Sequence, residues 1–293
     1  MTDCNPLATP ITKTMVQKLY KNKHEGLQQT AAEQAETDSI IGKMQWLGQT
    51  THCTLAVALS VYSSILSTEA RVAGGLDAAR MMLRYVKGTQ DRALVKKAGC
   101  RTGLKISSDA DYAGLWSFGF TDTESMGDKT IIIKETRERR SRTGCCITYN
   151  DMPVVWLSKF QNTVMTAGPS GTAESPHMLA LSSGESELYA ASDTAKEALR
   201  IKYIGEEINI KIPACLTLNV DSTAAQGFID STDKCTKIKM IDMREEWVEL
   251  LRNRTLLQTA KVAGPDNEAD FFTKILPEPA FRAAEDRMMK KIK

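Results

Sequence analysis

Between Leu104 and Asp270 the spacing of apolar residues switches repeatedly between a period of two and one near 3.6, which confines this stretch to an α/β fold. Leu104-Lys105-Ile106-Ser107 alternates and runs straight into Ser108-Asp109-Ala110-Asp111, which predicts a strand ending in carboxylates. Cys145 to Tyr149 and Val154 to Leu157 flank Asn150-Asp151-Met152-Pro153, the pattern of a hairpin with a four-residue turn. A further strand is expected at Met178 to Leu181, after the Gly/Pro/Ser-containing loop 167–176. Ser182 or Ser183 then caps a helix beginning near Gly184, with Leu188, Ala191, Ala195 and Ala198 or Leu199 on one stripe and Gly205 near its end. Leu216-Thr217-Leu218-Asn219-Val220-Asp221 alternates again, with a carboxylate at its end. A short helix from Ser222 or Thr223, an amphipathic helix around Ile241 to Leu251, a strand at Leu256 to Val262 and a last helix opening at Asn267-Glu268-Ala269-Asp270 complete the order.

Upstream the pattern differs. Residues 1–37 are polar and contain Pro6 and Pro10, so an extended lead-in without its own core is expected. Apolar periodicity at Ile40, Ile41, Met44 and Leu47, after Asp38 or Ser39 as N-cap, opens a helical unit over residues 38–98. The runs Leu55 to Leu66 and Leu76 to Val86 continue it. The α/β unit spans residues 99–280, and 281–293 form a basic C-terminal tail. The long polar stretch Thr121 to Arg142 is expected to be an insertion loop or flap.

With 42% hydrophobic residues over 293 positions, there is enough apolar material for two compact units. The 38 Lys and Arg nearly balance the 36 Asp and Glu, so any basic surface for nucleic acid must be local. Seven scattered cysteines without a C-x-x-C pair argue against a zinc site and for reduced thiols in an intracellular protein. No apolar leader opens the chain and no uninterrupted apolar run reaches about 18 residues, so neither export nor membrane spanning is expected.

The chemistry is carried by acidic residues. Asp109 ends the first strand, Glu187 lies in the first turn of the long helix, Asp221 ends a later strand and Asp270 starts the final helix. Strand ends and adjacent helix starts converge on one edge of an α/β sheet. Singly, each residue is weak evidence, since a lone acid at such a position is more often a helix cap or a solvated group; jointly, in this element order, capping does not account for them. Two-metal phosphodiester hydrolysis needs several carboxylates around two cations about 4 Å apart. A set of Asp and Glu without His or Cys suits two Mg2+ or Mn2+ ions. Asp111 stays an alternative to Asp109, since it turns to the same face if the strand continues.

Ser107-Ser108-Asp109-Ala110-Asp111-Tyr112-Ala113-Gly114 is similar to the Ser-Asp-Ala-Asp-aromatic-Ala-Gly signature that opens the ribonuclease H domain of copia-type retroelements. Ser141-Arg142-Thr143-Gly144, the stretch Pro153 to Gln161, Ala180 to Ala191 and Asn267 to Lys274 resemble later motifs in the family's order. Upstream, Cys4 to Pro10 and Leu83 to Thr89 resemble the segment that in the family joins the polymerase palm to the nuclease. The resemblance implies a ribonuclease H-like α/β fold, a mixed five-stranded sheet flanked by helices and preceded by a small helical unit. It also implies a two-metal endonuclease acting on the RNA strand of an RNA/DNA hybrid, with Asp109, Glu187, Asp221 and Asp270 as catalytic and metal-binding residues, and the polymerase part of a retroelement polyprotein as a partner.

The family's Tyr-x-Asp-Asp polymerase hairpin is absent, so polymerase activity is not expected. Thr51-His52-Cys53-Thr54 replaces the family's Thr-Arg-Pro-Asp, and Met240 stands where many relatives carry His. Gly119 to Glu138 and Met165 to Pro176 look longer than the commonest form. A hybrid is held through phosphates and 2′-hydroxyls, for which Lys159, Gln161, Lys237, Lys239 and Arg244 are candidates against a plain surface role. Trp156 and Trp247 read as packing residues. A serine-hydrolase reading of Gly184-Glu185-Ser186-Glu187 fails because Leu188 stands where the nucleophile elbow needs Gly. An integrase reading fits poorly, since its last carboxylate is a Glu on a later helix. A catalytically silent nucleic-acid-binding module is the alternative from another class.

Overall fold

The computed structural model describes residues 4–66, 71–96, 99–100, 102–112, 140–161, 182–230 and 242–292. The strand expected at Met178 to Leu181, the stretch 121–139, both long insertions and Met240 lie outside these residues.

The polar start is not extended. Helix α1 (Lys13–His24) is capped by Thr12, whose side chain accepts from the Met15 amide, and it buries Val16, Leu19 and Tyr20. Those three apolar residues stand at i, i+3 and i+4 among lysines, enough for one narrow buried stripe. Helix α2 (Ala31–Thr50) starts before Asp38, because Thr30 and Glu33 form a reciprocal capping box. A 3-10 turn (Cys53–Leu55), α3 (Ala56–Leu66) and α4 (Gly75–Gly88) complete the helical cluster, followed by a two-residue strand β1 (Arg92–Ala93).

The two upstream motifs meet each other. Leu7 N donates to the Arg84 carbonyl, Arg84 Nε donates to the Asn5 carbonyl at 2.7 Å, and Lys87 Nζ donates to that of Cys4 at 2.8 Å. Residues 4–10 thus lie along α4, and Gly88 leaves room for Pro6, which a Cβ there would approach to 3.0 Å.

Five strands form one mixed sheet: β2 (Leu104–Asp111), β3 (Arg142–Tyr149), β4 (Met152–Phe160), β5 (Leu216–Val220) and β6 (Leu257–Lys261). Their order is β4-β3-β2-β5-β6, with the first three antiparallel and β5 and β6 parallel to β2. The β3–β4 hairpin has a two-residue turn, since Tyr149 pairs with Met152 and Asn150 and Asp151 both take positive φ, 51° and 64°. This corrects the four-residue turn. Pro153 serves in edge strand β4, where its missing N–H is tolerated.

One face of the sheet packs on α5 (Ser183–Glu207) and α7 (Asp242–Asn253), with Ile106, Cys145, Ile147 and Leu218 against Leu188, Ala191, Ala195 and Val248. Ser182 caps α5 by accepting from the Glu185 amide, as expected. Helix α6 (Thr223–Asp230) follows β5. The other face carries Cys146, Trp156 and Phe160 into a second core shared with the helical cluster. Buried on both sides, β3 tolerates adjacent buried cysteines because successive side chains point to opposite faces. This α/β architecture, five mixed strands flanked by helices, is consistent with a ribonuclease H-like fold.

The C-terminal residues are not a tail. Helix α8 (Glu278–Met288) buries Phe281, Ala284 and Met288 at i, i+3 and i+7 in the core shared with the helical cluster, and β7 (Lys290–Lys291) pairs with β1. Glu285, buried on α8, accepts from the Tyr85 hydroxyl of α4 and pairs with Arg92 at 3.1 Å. The basic residues of this segment mask an apolar stripe.

Candidate metal centre

Strands β2 and β5 run parallel with Ile106 opposite Leu218. Asp109 and Asp221 each follow three residues later, so the register alone brings these carboxylates side by side at one edge. Glu187 joins them from α5, about one turn past the Ser182 cap. Ligand oxygens of Asp109, Glu187 and Asp221 all lie within 4.8 Å of one another. Asp109 and Glu187 are buried and Asp221 is half-buried.

Burying carboxylates together opposes their ionisation. Burial pushes the Glu187 carboxyl up to about 8, with the neighbouring Asp109 and Asp221 adding to it against a hydrogen bond from the Ala110 amide. Burial likewise raises Asp109 to about 6, although Thr273 donates to it and the charges of Asp221 and Asp270 press the same way as burial. The other Glu187 oxygen, Oε2, is buried without a hydrogen-bond partner and belongs to the residue that meets the two aspartates. An all-oxygen set with an orphaned buried acceptor fits a hard divalent cation such as Mg2+ or Mn2+.

Asp270 stands beside this trio but outside its 4.8 Å group. It sits in a 3-10 helix, Glu268–Phe272, which replaces the expected opening of an α-helix, and its carboxylate is ion-paired with Lys274. The segment is nonetheless fastened to the sheet. Asn267 caps it by accepting from the Ala269 amide and donates through Nδ2 to the Ser108 carbonyl of β2 at 2.9 Å. Gly144 on β3 permits the close approach, because a Cβ there would lie 2.6 Å from the Ala269 carbonyl oxygen. Thr273 Oγ1 then donates to Asp109 Oδ2. Thr273 escaped the sequence reading, although it lies in the quoted Asn267 to Lys274 motif.

Strand β2 continues through Asp111, so Asp111 shares the face of Asp109. It pairs in register with Arg142 on β3 and interacts with the charges of Arg142 and Lys274. Arg142 is buried, donates to the Thr273 carbonyl at 3.1 Å and packs its guanidinium 4.7 Å from the Phe160 ring. Burial lowers it to about 10.

Of the expected hybrid contacts, Lys159 is 42% exposed and paired with Asp193 at 3.0 Å. Gln161 is buried; its amide donates to Thr143 Oγ1 and to the Ser186 carbonyl, tying the end of β4 to the start of α5. In this position Gln161 braces the turn of α5 that carries Glu187. Lys237 and Lys239 lie outside the described residues, as does the side chain of Arg244 on α7. Trp156 packs against the helical core and donates from Nε1 to the Gly48 carbonyl at 2.7 Å. Trp247 packs against the sheet core. Among the described residues no helix is long and apolar enough to cross a membrane.

The chain is 24% identical over 288 residues, 98% of its length, to the retrovirus-related Pol polyprotein from transposon TNT 1-94 of Nicotiana tabacum. It is 24% and 23% identical, over 94% and 96% of its length, to the retrovirus-related Pol polyproteins from transposons RE1 and RE2 of Arabidopsis thaliana. The chain spans only 16 to 19% of the length of these relatives. No protein-family model matches it. No solved structure matches it either.

Proposed function

We propose that the chain is a retroelement Pol-derived segment whose α/β unit is a divalent-cation-dependent endonuclease of the ribonuclease H type, cutting the RNA strand of RNA/DNA hybrids. One observation carries the reading: the carboxylate oxygens of Asp109, Glu187 and Asp221 converge within 4.8 Å at one edge of a ribonuclease H-like sheet. The copia-type motifs and the similarity to Pol polyproteins support it.

Asp109, Glu187 and Asp221 would hold Mg2+ or Mn2+, with Asp270 available beside them. When bound, such cations supply the positive charge that hydrolysis of a phosphodiester needs at its attacking and leaving oxygens. The chain's own residues prepare that site. Thr273 fixes the orientation of Asp109 by donating to Oδ2, and the Ala110 amide fixes one oxygen of Glu187, leaving Oε2 free. Gln161, through the Ser186 carbonyl, holds the first turns of α5 against β3 and β4. Lys159, Lys237, Lys239 and Arg244 are the candidates for backbone contact with the hybrid, and the polymerase part of a Pol polyprotein is the proposed partner.

The test is cleavage of a labelled RNA/DNA hybrid by the full chain with Mg2+ or Mn2+. The reading predicts RNA-strand cuts by the native protein and at least a hundredfold loss in D109N and D221N. Undiminished cleavage in those variants overturns the assignment of the site. Hybrid binding without any cleavage supports the silent-module alternative instead.

A further inference from the structure

The ammonium of Lys274 sits among the carboxylates as a fixed counter-charge. It is ion-paired with Asp270 and interacts electrostatically with Asp109, Asp111 and Asp270, and its charge also bears on Glu187. Its placement is built in. Lys274 follows Thr273, whose hydroxyl is on Asp109 and whose carbonyl takes a hydrogen bond from the buried Arg142, so the backbone that carries Lys274 is held at both neighbouring groups. Asp270 and Lys274 stand at i and i+4, a spacing the short 3-10 helix and the turn after it bring into contact.

Asp109, Glu187 and Asp221, with an orphaned oxygen on Glu187, converge without Asp270. Resting on the nuclease reading above, we propose that Lys274 is a gate on the second cation. The trio forms a first, stronger divalent site, and a second ion enters only when Asp270 exchanges its partner from Lys274 to metal. The argument is electrostatic: a second divalent ion must displace the Asp270–Lys274 ion pair and approach its freed positive charge, whereas the first meets carboxylates on which Lys274 acts without an ion pair to break. Lys274 thereby separates the affinities of two sites that share carboxylates.

The experiment is a Mn2+ titration of the full chain without nucleic acid, counting bound ions by calorimetry and by the loss of the free-ion paramagnetic resonance signal. The native protein is expected to bind one ion tightly and a second more weakly. K274Q should tighten the second ion roughly three- to tenfold and leave the first within about twofold, since the pair removed is partly exposed. K274R, which keeps the charge, should behave as the native chain, and D270N should lose the second ion while keeping the first. An unchanged second constant in K274Q, or two ions of equal affinity in the native chain, overturns the gate while leaving the nuclease reading standing. No Mn2+ binding that depends on Asp109 removes both. Substitution of the half-exposed Lys274 is expected to leave the fold intact, which circular dichroism of each variant checks.

Discussion

Thr273 Oγ1 donates a hydrogen bond to Asp109 Oδ2 at 2.5 Å across 164 residues of chain. The C-terminal segment therefore orients the carboxylate at the end of the first long strand. Removing the hydroxyl while keeping the shape, in T273V, is expected to weaken Mn2+ binding and hybrid cleavage by about 10- to 100-fold. T273S should restore most of both. Equal activity of T273V and the native chain would remove Thr273 from the site's support.

The buried carboxyls set a pH dependence for the metal-free protein. Glu187 holds its proton up to about 8 in the fold but releases it near 4.5 when unfolded, and Asp109 holds its proton up to about 6 against 3.8. The unfolded chain loses these protons first as pH rises, so their contribution to stability is fully present below pH 4 and lost as pH climbs through 6 to 8. In EDTA, E187Q should gain stability over the native chain by roughly 2 kcal/mol between pH 5 and pH 9, followed by urea denaturation. A difference that does not grow with pH contradicts the coupling.

Gly144 is the seat of the segment that carries Asp270. A Cβ would stand 2.6 Å from the Ala269 carbonyl oxygen, and backbone cannot rotate aside as a side chain does. G144A is expected to destabilise the protein by about 1–3 kcal/mol and to loosen Asp270. Urea denaturation together with the Mn2+ titration checks both effects.

At the other end, Glu285 is buried between Tyr85 and Arg92 and joins α8 to the helical cluster. E285Q leaves the buried Arg92, among the described residues, with the exposed Asp286 as its ion-pair partner and is expected to cost about 2–4 kcal/mol. Thermal denaturation should show one cooperative loss of both units, because they share a core. An unshifted midpoint would mean that the pair contributes nothing to their union.

What could be read from sequence follows from where the information is local. Strand alternation at Leu104 and Leu216 and the Ser182 cap locate all three acids to within two residues: Glu187 stands near the start of α5, Asp109 two residues before the end of β2 and Asp221 one residue past β5. Their convergence needed only the parallel pairing of β2 and β5 and the return of α5. Helix α1 was hidden because three buried residues among lysines make a weak periodic signal. Met152 and Pro153 read as turn residues, since nothing local distinguishes a turn proline from one on an edge strand. Glu268 to Phe272 resembled a helix start, but Ala269, Phe271 and Phe272 are all buried in a short 3-10 segment that continuous helix would not seat. The Lys274 pairing with Asp270, the reach of Thr273 to Asp109 and the inward turn of Gln161 are tertiary facts with no periodic trace.

The most direct measurement is a crystal of the full chain grown with Mn2+ and recorded at a wavelength that reveals the metal by anomalous scattering. An anomalous peak ligated by Asp109, Glu187 and Asp221 is the predicted result. A Mn2+-loaded crystal with those three carboxylates free of metal, or with the peak on other residues, would contradict the account.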